Sequence, residues 1–395
     1  LPKEAHTDFA EAERVKEEMF EIAFAAFLHD KENPLHEAYK QFIKTEKEWL
    51  DDFALFMQLK KEHEGKPWFD WPDAYKKRDE EALKKFGQKH SREIKKIKWL
   101  QFIFAQQWHE LRSYCNMRNI RFIGDLPFYI SYDSSDVWAA REIFAIDEEG
   151  KRTGVAGVPP DAFSDDGQLW GMPVFRWDVL KESGYAWWIG RLRKNIELFD
   201  LVRLDHFRAF AAYWDVPEGE QTARNGKWVQ GPGPEFFQAV EMALGDLPFV
   251  AEDLGDIDAD VLHLRDAFRL PGMKVLQFAF GGDMPHSDYI PHNYEKNFLV
   301  YTGTHDNNTT VGWFRTEAGE DVKNRIRQYA GIDIGEHNIH HVLARLAYSS
   351  VASIAILPIQ DVLGLDESAR MNVPSSAQNN WSWRLKPGQV NAATE

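Results

Sequence analysis

Hydrophobic positions in the first hundred residues recur at helical spacing. Val15, Met19 and Ile22, then Phe42, Trp49, Phe53 and Phe56, then Ile97, Leu100, Phe104, Trp108 and Leu111 return every three to seven residues, a separation that gathers side chains on one helix face. The spacing predicts several amphipathic helices with solvated outer faces, interrupted near Asn33-Pro34 and at the turn signal Gly65-Lys66-Pro67. From about residue 119 the rhythm changes. Short β-rich runs occur at 121–126, 201–205, 248–252, 274–280, 298–302 and 353–358, and helical patterns at 234–244, 261–268, 321–329 and 336–349 fill the later gaps. Strand and helix in alternation imply parallel pairing, because a helical crossover returns the chain to the same end of the sheet.

This pattern predicts an α/β fold, best read as a TIM (β/α)8 barrel with helical insertions. Residues 1–118 read as a helical insertion subdomain. Residues 119–395 read as the barrel, strands three to eight, with a covering loop over 150–175. Six strands are legible, so the barrel is two short at its N-terminal end. A doubly wound sheet is the rival architecture, but no Gly-rich phosphate loop follows any of the runs. Residues 154–173 contain seven Gly or Pro in twenty positions, yet Phe163, Leu169 and Trp170 lie among them. Large aromatics are costly to expose on a passive linker, so this stretch reads as a structured loop over a site.

Charge narrows the partners. The first hundred residues carry 20 basic and 22 acidic side chains, the remaining 295 carry 27 and 41, and the whole chain has a formal charge of −16. An acidic surface repels phosphodiester backbones and anionic lipid headgroups, which argues against nucleic acid and membrane partners and for a neutral substrate. A single cysteine, Cys115, excludes an intrachain disulfide. With no signal-peptide pattern in the first thirty residues, the expected compartment is the cytoplasm. Nothing in the pattern sets an oligomeric state.

In a barrel the chemistry sits at the C-terminal ends of the strands, which singles out few of the 63 acidic residues: Asp125, Asp205, Glu252, Asp253 and Asp306. Arg203 and Asp205, two apart on a strand, point to the same face, while Val202 and Leu204 point to the helices. A guanidinium beside Asp205 favours its charged form and suits it to act as a nucleophile. Glu252, arriving from the next strand, is expected to feel the charge of Asp205 and to have its pKa raised, as a general acid near neutrality requires. Two carboxyl groups held in different protonation states are the equipment of glycosidic bond chemistry. Asp306 supplies a third carboxylate, with His305 as a donor beside it. His206, His305 and the carboxylates lack metal-ligand spacing, and no Gly-x-Ser-x-Gly elbow is present. Fifteen tryptophans offer flat apolar faces for sugar rings. Trp170 is the one assigned to ligand; Trp187, Trp188, Trp381 and Trp383 are expected to pack in the core.

At these residues the chain resembles the 4-α-glucanotransferases called amylomaltase or disproportionating enzyme, glycoside hydrolase family seventy-seven. The segments that carry the resemblance are GDLPFYI (124–130), GVPPDAFSDDGQLWGMPVF (157–175), VRLDHFRAF (202–210), VAEDLG (250–255), LPGMKVLQFAF (270–280), YTGTHDNNTTVGW (301–313) and NVPSSAQNNWSWR (372–384). The resemblance implies a (β/α)8 barrel, with Asp205 as nucleophile, Glu252 as acid/base and Asp306 as transition-state stabiliser. It also implies substrate contacts from Arg203, His206, His305, Asp161, Gln168 and Trp170, with Asp125 at the neighbouring strand end. The implied substrates are maltooligosaccharides and α-1,4-glucans, a segment of one being passed to the 4-hydroxyl of another by retaining double displacement, with no metal or cofactor. A plastid is then as admissible a compartment as the bacterial cytoplasm. An α-glucan hydrolase and a non-catalytic glucan-binding protein are the rival functions. Nothing here matches the family's first segment, with its two barrel strands and aromatic acceptor region. The chain is therefore expected to be a fragment, poorly stable and weakly active by itself because of unpaired strand edges.

Overall fold

The computed structural model describes residues 6–160, 164–255, 257–374, 376 and 378–391. The chain forms two compact units, one of residues 19–268 and one of residues 1–18 with 269–395. That division follows other lines than the 118/119 boundary between helix-rich and strand-rich sequence.

In the larger unit the helices Leu35–Thr45, Lys47–Glu62, Glu80–Lys89 and Ser91–Asn116 confirm the helical periodicity, with breaks near Asn33-Pro34 and Gly65 where the sequence placed them. Their core is aromatic. Phe24 and Phe27 pack on Trp99 at ring distances of 5.4 and 5.7 Å, with Tyr39 and Phe102 closing the cluster. The periodicity misjudges which face is covered, however. Met19 is 63 % exposed and Ile22 72 %, while Phe24 and Phe27 on the same helix are buried. Trp49, Phe104 and Leu111 also lie at the surface. An apolar stripe identifies a helix, but burial depends on which neighbour packs against it.

Strands β1 (Ile123–Leu126), β2 (Gly154–Val158), β3 (Gln168–Pro173), β4 (Leu201–Leu204), β5 (Ala212–Pro217), β6 (Lys227–Gln230) and β7 (Phe249–Ala251) follow in this unit. They form a parallel sheet in the order β1-β4-β7 and a four-stranded antiparallel sheet in the order β3-β2-β5-β6. The Gly/Pro-rich stretch read as a loop is therefore largely the β2–β3 pair. Glycine is required within it: a Cβ on Gly157 would collide with the Gln168 carbonyl of the facing strand.

The smaller unit holds β8 (Gly272–Val275), β9 (Phe298–Tyr301) and β10 (Ile354–Ile356), a parallel sheet in the order β10-β9-β8. Each of the six predicted runs thus overlaps a parallel strand shorter than the run. The greatest difference is at 274–280, where the strand begins at Gly272, ends at Val275 and gives way to a 3-10 turn over Leu276–Phe278. Residues 273, 275, 276 and 277 are all buried, so no alternation marks where the strand stops. The helices Thr310–Thr316, Glu320–Ala330 and Ile339–Ser349 cover this sheet through Trp313, Phe314, Ile326 and Leu343. Among the described residues no helix is long and apolar enough to cross a membrane.

Candidate active site

The ends of β4 and β7 are neighbours because the two strands pair in register, Leu204 opposite Ala251. The ladder continues one residue further on each side. The Asp205 amide donates to the Leu126 carbonyl at 3.0 Å and the Glu252 amide to the Leu204 carbonyl at 3.1 Å. This delivers Asp205 and Glu252 side by side at the C-terminal ends of adjacent parallel strands. Within β4, Val202 and Leu204 are buried against the apolar interior. Arg203 projects the other way and forks between two carboxylates, Nη1 to Asp125 at 2.8 Å and Nη2 to Asp205 at 2.7 Å. The guanidinium is a fixed counter-charge to Asp205.

Glu252 is held by the main chain. His206 adopts a left-handed conformation, φ +53°, sparsely populated by residues with a side chain. That turn aims its amide at Glu252 Oε2, 2.9 Å away, and the Leu254 amide donates to Oε1 at 3.2 Å. Burial nevertheless dominates: it raises the carboxyl pKa from 4.5 to about 7, with a smaller push from Asp205, against the lowering effects of Arg203 and the two amides. The expected direction of shift is found, but desolvation is its leading cause rather than the charge of Asp205. Asp253, the other acid after β7, is turned away into a buried ion pair with Arg265 at 2.5 Å.

His206, whose amide grips Glu252, belongs to an aromatic group. Trp170 on β3 lies edge to face with His206 at 4.9 Å, and Tyr129 lies 5.9 Å from Trp170 and 6.0 Å from His206. Burial lowers the His206 pKa to about 3, so the ring is neutral at physiological pH. Gln168 accepts from the Trp170 indole N–H at 3.2 Å. The structure thus brings together Asp125, Gln168, Trp170, Arg203, Asp205, His206 and Glu252, while Asp161 lies outside the described residues. Tyr129 was missed: it stands inside GDLPFYI, three residues past the end of β1, but no charge drew attention to it.

Asp306 and His305 belong to the other unit, on the segment that follows β9. His305 Nε2 is 3.6 Å from Asp306 Oδ2, and Asn372 donates to Oδ1 at 2.6 Å. Arg370 donates to the Asp306 carbonyl at 2.9 Å. Trp381, expected in the core, is 54 % exposed and lies 5.2 Å from His305; a second tryptophan face therefore borders candidate site residues. Trp188 is buried as expected, packed 5.5 Å from Phe128. Asn372 and Arg370 are the residues here that sequence reasoning left without a role, although Asn372 falls within NVPSSAQNNWSWR. Among the described residues no group of three His, Cys, Asp or Glu side chains is arranged to hold a metal ion.

Paired carboxyls on neighbouring strand ends, an arginine fork and a nearby group of aromatic rings are the equipment that glycosidic chemistry uses. A family model described as 4-alpha-glucanotransferase matches residues 1–391. The chain belongs to glycoside hydrolase family 77. Within family 77 it is 48 % identical to the 4-alpha-glucanotransferase of Synechocystis over 97 % of this chain and 76 % of that protein. It is 46 % identical to the 4-alpha-glucanotransferase of Thermus thermophilus over 93 % of this chain and 74 % of that one. Among solved structures, the amylomaltase from Streptococcus agalactiae in complex with acarbose superposes with a TM-score of 0.94 at 37 % identity, covering 99 % of this chain and 78 % of that one.

Proposed function

We propose that the chain is a 4-α-glucanotransferase acting on maltooligosaccharides and α-1,4-glucans, as its relatives' names suggest for them. The observation that carries this reading is the placement of Asp205 and Glu252 at the ends of adjacent strands. Neighbouring strands lie about 4.8 Å apart, which suits the short carboxyl separation of a retaining double displacement, about 5 to 5.5 Å, better than the wider gap that admits a water between them.

Asp205, ionised beside Arg203, attacks the anomeric carbon while Glu252 protonates the departing glycosidic oxygen; a covalent glycosyl ester forms and the reducing-end sugar leaves. Glu252, now a carboxylate, removes the proton from the 4-hydroxyl of an incoming glucan, whose oxygen displaces Asp205. Two inversions give retention. A Glu252 pKa of about 7 suits a group that must give and then take a proton near neutrality. Asp306 takes the stabilising role for the oxocarbenium-like transition state, with His305 donating to a ring hydroxyl. Trp170 and His206 form a wall of the sugar site, with Gln168, Asp125 and Asp161 as further contacts. The six parallel strands are read as strands three to eight of a (β/α)8 barrel, supported by the strand and helix alternation and by the amylomaltase superposition. No metal or cofactor takes part in these steps. Residues 1–118 act as a helical insertion, and the compartment is the cytoplasm or a plastid.

Incubation with maltotriose tests the reading. Transfer yields glucose together with longer maltooligosaccharides. Products only shorter than the trisaccharide would replace it with hydrolysis, and an unchanged trisaccharide with binding alone.

A further inference from the structure

A cavity of about 560 Å3 lies among helices of the larger unit, between the helix Lys47–Glu62 and the helix Ala186–Leu198. None of its lining residues belongs to the strand-end site. Its walls combine accessible aromatic rings with paired opposite charges. Trp49 is 39 % exposed, and its indole N–H is anchored on Glu46 at 2.5 Å, so the ring is held in place while its face stays open. Trp187, across the cavity, is braced edge-on by Trp188 at 5.7 Å. Beside it the Arg191 guanidinium is fixed by the carbonyls of Pro127 and Phe128 at 2.7 and 3.3 Å.

The charges select a class of ligand. Lys194 is held between two carboxylates, Glu46 and Glu197, at 2.8 and 2.7 Å, which outweigh it by one charge. Asp136 and Arg191 line the same cavity with opposite signs and attract one another, while burial works against the charge of each. A ligand with net charge of either sign would meet its own sign on the wall. A neutral ring with an apolar face and paired hydroxyls meets neither penalty: its C–H face stacks on an indole and its vicinal hydroxyls bridge a carboxylate or guanidinium. The volume is that of a small-molecule site.

We propose that this cavity is a second carbohydrate site, which holds a stretch of α-1,4-glucan away from the reacting bond. The choice of glucan over other neutral sugars rests on the functional reading above. Because Arg191 is fixed by the two residues that follow β1, the site is built onto the loop leading from Asp125 to Tyr129, and an occupied cavity tethers a long chain near the strand ends.

Titration of maltoheptaose into the Asp205→Asn protein, which binds sugar without consuming it, tests the proposal. Two binding events are expected. Adding Trp49→Ala removes one of them, and adding Asp136→Asn, which keeps the packing volume, weakens the same event about tenfold, the loss of one charge-assisted hydrogen bond. A single event in Asp205→Asn, or two undiminished events in both double variants with native melting temperatures, overturns the proposal. Failure of the otherwise unaltered protein to disproportionate maltotriose would instead overturn the functional reading, and the titration still reports on the cavity.

Discussion

Glu252 and Asp306 are both carboxylates beyond the ends of parallel strands, yet they are held in opposite ways. Glu252 directly follows β7 and is gripped by two backbone amides in a buried setting that favours its protonated form. Asp306 lies five residues past β9, with its side chain 46 % exposed, and is tied by side chains, Asn372 and Arg370, from far along the chain. The contrast separates two ways of presenting an acid. One carboxyl is enclosed and met by fixed backbone dipoles; the other is open to solvent and met by side-chain partners.

The harshest test removes the carboxylate beside Glu252 that is proposed as the nucleophile. Asp205→Asn should lower kcat on maltotriose by on the order of 10^4-fold or more, because no covalent intermediate can form. A rate within tenfold of the parent would show that the strand-end pair is not where the reaction occurs.

Glu252→Gln should cost roughly 10^2- to 10^4-fold with a poor leaving group, and the parent kcat/KM should decline as pH rises through about 7, where the acid is lost. Stability sharpens the contrast. The folded carboxyl keeps its proton up to about pH 7 while the unfolded one releases it near 4.5. The group therefore subtracts stability as pH rises between those values, a penalty the neutral glutamine escapes. Denaturant melts at pH 5 and pH 8 should show the variant gaining on the parent at the higher pH, by up to about 3 kcal/mol. An equal difference at both pH values would break the comparison.

The smallest effect concerns the tether. Asn372→Ala removes the 2.6 Å hydrogen bond to Asp306 and should lower kcat by roughly tenfold, the worth of a hydrogen bond to a charged group, with little change in KM or in the high-pH limb of the profile. A shift in that limb would mean that Asn372 acts on protonation rather than on position.

The sequence showed what depends on local spacing. Arg203 and Asp205 two apart, the acids closing the β runs and the parallel strands themselves could be read because strand alternation is a local rule. Three things could not. Histidine gives no signal of a left-handed backbone at 206, so the amide that grips Glu252 was invisible, and with it the balance that makes burial the leading cause of the shift. The tether of Asp306 spans 66 residues of sequence, a distance at which no pattern links Asn372 to its partner. The Gly/Pro content of 154–173 hid the β2–β3 pair because glycine serves close strand approach as well as turns. For the same reason of tertiary choice, Met19 and Ile22 kept helical spacing while a different face of their helix was covered.

The grip on Glu252 has one more implication. Its donors are peptide nitrogens, so side chains at 206 and 254 can change without deleting a single hydrogen bond to this carboxyl. The vulnerability lies in the path of the chain. Proline at either position would strip out a donor, and a β-branched residue at 206 would resist the left-handed turn, so the acidity of the site is written in backbone geometry rather than in the identity of its neighbours.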